Sequence, residues 1–473
     1  MLKAFGKDFI IYGLSSSISK FVGLFLVPLY TRVFSPEQYG TMDLISTVVA
    51  VIAIIGMMQL ESAVSRYYFA EKNDDSKTLM ISTAIWSILL LSGFLLSFLI
   101  FFSNHISILL FGKDEFSLVL IIAGITMPFT NLNGLFTVIM RFKKKPIHYL
   151  GFQLSQITIT ISTTVLLVLY YKTGIIGVFI GQLSGFLVIV LIMAYYLRSN
   201  IKLRWQKTAL LKMIRYSLPL VPAVGGAWAN SHLNRFVMIS YLSISDIGIY
   251  VVALKFASIM QLIGAAFRMA WPPFLWETFE KNSAHREVFK KVLEHVSILL
   301  FSIVIILTVF ADQIIMIFAT KEYTLSAKLI GMLALSSATT NVLGQIVILG
   351  PGITKKTEYN TAIYLLSVAI NVASLFIFVP KIGLVGVPVS LLLGSITLVS
   401  VGWINSERLY KVGFNYKKII ILFLTTLSII ISNYFFNFLI ELKSLLILII
   451  LIFISIKYRN FLISSFLVVK RKF

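Results

Sequence analysis

Eight ionisable residues lie inside or at the edges of long apolar runs: Lys20, Arg32, Asp43, Glu61, His232, Arg235, Lys255 and Arg268. A charge at membrane depth is costly, so such a residue faces a wet cavity or a partner by default. Lys20, Arg235, Lys255 and Arg268 have the chemistry to hold an anion. An anion cannot enter hydrocarbon unpaired, and fixed cations, above all an arginine fork, can supply the pairing. Arg32, Asp43, Glu61 and His232 are candidates for a gate or for coupling to a proton or cation. The competing reading makes Lys20–Glu61 and Arg32–Asp43 internal ion pairs that hold helices in register. Lys20 stands about twelve residues into its run, roughly 18 Å along a helix.

The elements that must position these residues follow from composition. The chain has 473 residues, 58% hydrophobic and only 13% charged, with a mean hydropathy of +0.93. A soluble domain carries about 25% charged residues. Runs such as 81–102 and 419–440 hold about 20 residues with almost no charge, enough for a helix to cross a bilayer. The shorter alternating strands of a membrane barrel are absent. The expected fold class is an all-α polytopic membrane protein with about fourteen transmembrane helices. The first is placed at roughly 9–33, the second at 40–66, the seventh at 214–241, the eighth at 247–274 and the last two at 418–438 and 443–460. The start, carrying Lys3 and Lys7, precedes a span too long and polar for a cleavable signal, so it is expected to be retained.

The net charge of +22 does not point to nucleic acid, because the basic residues gather in alternate loops. Arg141, Lys143, Lys144 and Lys145 fall in one; Lys202, Arg204, Lys207 and Lys212 in another; Arg408, Lys411 and Lys417 in a third. The loops between them are nearly free of basic residues, so both termini are expected to face the cytoplasm. There is no cysteine. Nor is there an HExxH, a GxSxG, a phosphate-binding glycine loop or a clustered His/Asp ligand set. No cofactor, metal or enzymatic activity is expected.

The chain also repeats itself. Lys172-Thr173-Gly174-Ile175-Ile176-Gly177-Val178 returns as Lys381-Ile382-Gly383-Leu384-Val385-Gly386-Val387, and Gly185 as Gly394, at an offset of about 209 residues. Ser35-Pro36-Glu37-Gln38-Tyr39-Gly40 has a weaker echo in Ser243-Ile244-Ser245-Asp246-Ile247-Gly248. The offset spans an even number of helices, so the two copies share one orientation. The expected organisation is a six-helix lobe at 1–200 and an interfacial linker at 201–213. A second six-helix lobe follows at 214–410, then two extra helices with a basic tail at 411–473.

The run from Pro28 to Gly40 (PLYTRVFSPEQYG), followed by Asp43-Leu44, resembles the first-helix signature of the polysaccharide-transporter family. These are the O-antigen-type, Wzx-like flippases of the multidrug/oligosaccharidyl-lipid/polysaccharide exporter superfamily. Tyr216-Ser217-Leu218-Pro219-Leu220-Val221-Pro222, Asn234-Arg235 and Asp246-Ile247-Gly248-Ile249-Tyr250 are similar to its seventh and eighth helices. The resemblance implies a flippase for an undecaprenyl-diphosphate-linked oligosaccharide, with a cationic cavity bordered by the first, second, seventh and eighth helices. It implies a polyprenyl-diphosphate-linked oligosaccharide and membrane lipids as partners, with a polysaccharide polymerase and a chain-length regulator as further candidates. A lipid II flippase and a drug or cation antiporter of the same superfamily are the alternatives within transport. The antiporter would need acidic residues where basic ones prevail. A membrane-embedded polymerase or glycosyltransferase is the alternative of a different class, and the short outer loops, with Asp114 and Glu115 merely adjacent, do not suit it.

Overall fold

The computed structural model describes residues 23–435, apart from positions 25, 69, 72, 144 and 357. Lys20, most of the first expected span and the last one at 443–460 lie outside the described residues. Every regular element among the described residues is helical, the form in which a chain surrounded by lipid satisfies its own backbone groups. The chain divides into two compact units, Met1–Val251 and Val252–Phe473.

The first unit begins with α1 (Val27–Val33), α2 (Pro36–Met57), α3 (Leu60–Tyr68), α4 (Asp74–Phe111) and α5 (Ser117–Phe142). It continues with α6 (Pro146–Val165), α7 (Ile175–Tyr196), α8 (Lys207–Ser217), α9 (Val221–Tyr241) and α10 (Ile244–Ala257), inside which the boundary falls. Helix α2 packs against α4, α5 and α9. The core joins Ile81, Ile85 and Ile88 of α4 with Leu135, Phe136 and Ile139 of α5, Ile189 and Met193 of α7, and Met213 of α8. On the opposite face of α4, Leu90, Phe94, Phe98 and Phe101 are exposed. Their helical spacing makes an apolar stripe suited to lipid rather than water.

The linker ties down onto α4. Lys202 pairs with Asp75 at 2.7 Å, the Trp205 indole donates to Ser87 Oγ at 3.0 Å, and the Trp86 indole donates to the Lys202 carbonyl at 3.0 Å. Leu203 is left 90% exposed and Leu211 is also exposed. Apolar side chains displayed among lysines and arginines suit the headgroup boundary of a bilayer.

The second unit holds α11 (Ile259–Lys281), α12 (His285–Val309), α13 (Ala311–Phe318) and α14 (Leu325–Ala338). A π-helical turn at Thr339–Leu343 continues α14. Then come α15 (Glu358–Ile382), α16 (Gly386–Leu409) and α17 (Tyr416–Phe435). Helices α15 and α16 form a hairpin, and α12 packs on α14 and α17.

Among the described residues, nine helices are long and apolar enough to cross a membrane, or ten if the pair α10 and α11, bent by 42°, forms one span. The described residues do not reproduce the count of fourteen. The α15–α16 hairpin runs as one continuous apolar stretch, Glu358–Leu409, and two expected spans lie largely outside the described residues. The expected second span is counted once, as Pro36–Tyr68, although the helix is interrupted inside it. Met58 and Gln59 have φ of 45° and 54°, a left-handed conformation uncommon for residues other than glycine.

The repeated glycines share a backbone conformation. Gly174 and Gly383 have φ of +65° and +62°, immediately ahead of α7 and the turn into α16. A side chain would strain that turn in both copies. Ser35 caps α2 with a reciprocal box: its Oγ accepts from the Gln38 N–H at 3.3 Å, and its own N–H donates to Gln38 Oε1 at 3.1 Å. The echo repeats the device. The Asp246 N–H donates to Ser243 Oγ at 3.2 Å and the Ser243 N–H to Asp246 Oδ2 at 3.1 Å. Both motifs are therefore helix starts.

Candidate functional site

Helix α2 presents Gly40, Asp43 and Thr47 along one stripe, and each meets α9 or α10 within the first unit. A Cβ on Gly40 would lie 2.1 Å from the Ile244 carbonyl oxygen and 3.0 Å from the Gly248 nitrogen. A Cβ on Gly248 would lie 1.9 Å from the Pro36 oxygen and 3.0 Å from the Gly40 nitrogen. The contact is reciprocal: each copy of the capping motif seats its glycine on the start of the other. Such an approach of two backbones requires glycine on both sides.

One turn further along α2, Asp43 Oδ2 accepts from Arg235 Nε at 2.9 Å. Arg235 is 3% exposed. Its Nη1 donates to the Ser231 carbonyl one turn back on α9, and its guanidinium lies 5.3 Å from the centre of the Tyr250 ring. The Tyr250 hydroxyl accepts from Asn234 Nδ2 at 2.8 Å. A buried guanidinium of this kind is tolerated because a carboxylate, a carbonyl and a ring face replace its water. Another turn on, Thr47 Oγ1 stands 3.4 Å from His232 Nδ1. The imidazole stacks on Trp228, with centroids 5.6 Å apart and an interplanar angle of 15°. Together these contacts make a polar clasp between helices that the sequence places in the second, seventh and eighth spans.

A separate cluster occupies the second unit. Arg268 on α11 is exposed, and its Nη1 donates to Asn341 Oδ1 on the π-turn at 3.0 Å. The Trp271 indole donates to the Gln345 carbonyl at 3.2 Å.

The residues singled out from sequence therefore distribute unevenly. Asp43 and Arg235 come together as an ion pair, with His232 beside them. Asp43 takes Arg235, not Arg32, as its partner, because Arg32 is exposed in the last turn of α1. Glu61 is half-buried in the first turn of α3, its Oε2 lying 3.9 Å from where a Cβ on Gly134 would sit. Lys255 is half-buried in the last turn of α10. Lys20 lies outside the described residues. Sequence reasoning did not single out Thr47, Tyr250 or Asn341 for the site. The signal for Tyr250 was its place at the end of the Asp246–Tyr250 motif; Asn341, in a run with Ser337, Thr339, Thr340 and Gln345, carried none. No group of three or more His, Asp or Glu residues converges to hold a metal among the described residues.

These features define the class: a multi-pass helical membrane protein in which Arg235 is paired with Asp43 and Arg268 is held by an amide. The fold is similar to that of the lipid II flippase MurJ in an inward closed conformation, with a TM-score of 0.74 and 18% identity over 96% of this chain and 100% of that one. It is also similar to an inward-facing multidrug resistance MATE family transporter of the MOP superfamily, with a TM-score of 0.63 and 14% identity over 85% and 94%. A MOP superfamily transporter from Pyrococcus furiosus has a TM-score of 0.55 and 15% identity over 86% and 95%. Likeness at these identities concerns the fold. The chain belongs to the family described as polysaccharide biosynthesis protein, whose profile matches residues 29–328. A protein of the Lsg locus of Haemophilus influenzae is 23% identical over 289 residues, 58% of this chain and 67% of the relative.

Proposed function

We propose that this protein is a flippase that moves a polyprenyl-diphosphate-linked oligosaccharide from the cytoplasmic to the outer leaflet of a bacterial cytoplasmic membrane. The undecaprenyl lipid and the saccharide of a surface polysaccharide are the expected cargo. The membership of the polysaccharide biosynthesis family supports a saccharide substrate. The likeness to a lipid II flippase supports a lipid-linked one.

The observation that carries the reading is the clasp. Asp43 and Arg235 pair at 2.9 Å where the two copies of the capping motif cross through Gly40 and Gly248. A discrete, charge-locked contact between duplicated elements is the kind of element that can exist in two arrangements, as alternating access demands. Arg32 at the outer edge of its span, with Asp43 and Arg235, forms the gate in this reading. Lys20, Lys255 and Arg268 are the cations that receive the diphosphate. An anionic head group leaving a negative cytoplasm moves downhill by about 2.3 kcal/mol per charge per 100 mV. Potential alone can therefore supply direction, while Glu61 and His232 are the residues that would couple a proton or cation.

The test uses purified full-length protein in liposomes loaded with a fluorescent polyprenyl-diphosphate saccharide. Protein-dependent movement of the head group between leaflets is expected, faster with a potential that drives anions in the transport direction. Hydrolysis or polymerisation of the saccharide without movement would overturn the reading in favour of a membrane enzyme.

A further inference from the structure

Arg268 and Asn341 belong to an arrangement that the gate does not use. Gly264, Arg268 and Trp271 recur along one stripe of α11, and all three meet the segment from Asn341 to Gln345. A Cβ on Gly264 would lie 2.7 Å from Asn341 Cβ, so this glycine lets the two helices close. Arg268 then reaches Asn341 Oδ1 at 3.0 Å, and Trp271 reaches the Gln345 carbonyl at 3.2 Å.

The amide of Asn341 can point only one way. Its Nδ2 donates to the Ser337 carbonyl at 3.0 Å and to Ser337 Oγ at 3.2 Å. A carbonyl can only accept and a guanidinium can only donate, so Oδ1 must face Arg268. The π-turn Thr339–Leu343 supplies the register. One extra residue in a helical turn shifts which side chain faces α11, and the Asn341 carbonyl in this stretch accepts from Gln345 Nε2 at 2.6 Å. Turns of this type cost backbone hydrogen bonding and recur at functional sites. No carboxylate takes part among the described contacts of Arg268. Among the described residues its positive charge is therefore oriented by an amide and not neutralised by a carboxylate.

We infer that Asn341 is a positioning residue that holds the Arg268 guanidinium ready for the diphosphate of the lipid-linked substrate. The inference rests on the flippase reading and deepens it by naming what aims one of its cations. A neutral amide suits this task better than Asp or Glu, because an acid at 341 would pair with Arg268 and compete with the phosphate oxygens.

Full-length protein in detergent provides the test, with farnesyl diphosphate and farnesyl phosphate as probes and melting temperature measured alongside. Wild-type protein is expected to prefer the diphosphate. Asn341→Ala and Arg268→Ala should each weaken diphosphate binding about tenfold. Asn341→Ala placed in the Arg268→Ala background should cause no further loss, since its effect passes through the arginine. Asn341→Asp should weaken diphosphate binding at least as much while melting no lower than wild type, which separates aiming from packing if the alanine variant folds poorly. Wild-type affinity in both Asn341 variants, or fully additive losses in the double variant, would overturn the inference while leaving transport by the wild type intact. A wild-type protein that neither binds farnesyl diphosphate nor translocates the fluorescent lipid would instead remove the flippase reading and this inference with it.

Discussion

Arg235 sits against a carboxylate and beside a tyrosine ring, 3% exposed, whereas Arg268 stays exposed and takes the oxygen of an amide. Both are arginines in largely apolar helices, and from the sequence they looked alike. The carboxylate cancels the charge of the first and makes it a fastener. The amide leaves the charge of the second in place and only directs it. What an arginine in such a helix does is therefore decided less by its own type than by whether its partner is ionised.

The largest effect should come from breaking the fastener. Arg235→Ala leaves the Asp43 carboxylate without its ion-pair partner and should cost about 3–5 kcal/mol of stability, measured as a lower melting temperature in detergent. Adding Asp43→Ala should return much of it, because the stranded charge is gone. Arg268→Ala should shift stability by only about 0.5 kcal/mol, as a surface substitution does. Equal losses at the two arginines would erase the distinction between them.

A second effect, next in size, concerns the crossing under the pair. Gly248→Ala places a methyl group 1.9 Å from the Pro36 carbonyl oxygen, so backbones must part. Overpacking of this kind costs about 1–3 kcal/mol. Transport should fall with it, whereas diphosphate binding at Arg268 should hold. Loss of binding in the same variant would mean that the two regions do not act separately.

The smallest effect should be at the far end of the stripe. Thr47→Val removes a long 3.4 Å contact to His232 and should cost at most about 1 kcal/mol. A larger loss would make that contact part of the fastener rather than its neighbour.

Much of the fold was legible because lipid imposes a simple rule: long apolar runs must be helices. The glycine repeat was legible because Gly174 and Gly383 share a backbone conformation that side chains resist. The ion pair was visible only in part. Asp43 and Arg235 stood out as charges in apolar runs, yet the nearer Arg32 was the obvious partner by sequence distance. Asn341 was not distinguished at all, since an amide within a helix carries no signal until its neighbours are known. The break at Met58 and Gln59 was equally hidden, for neither residue favours a left-handed backbone.

By itself the sequence determined the helical membrane class, the recurrence of the glycine motif and the set of ionisable residues that had to find partners. Each of these follows from local chemistry: hydropathy, backbone conformation, and the cost of a charge away from water. Only the tertiary structure decided that Asp43 closes on Arg235 and that Asn341 aims Arg268. Those choices depend on which faces of helices far apart in the chain meet, and a π-turn of five residues changes that face without changing the composition of the helix.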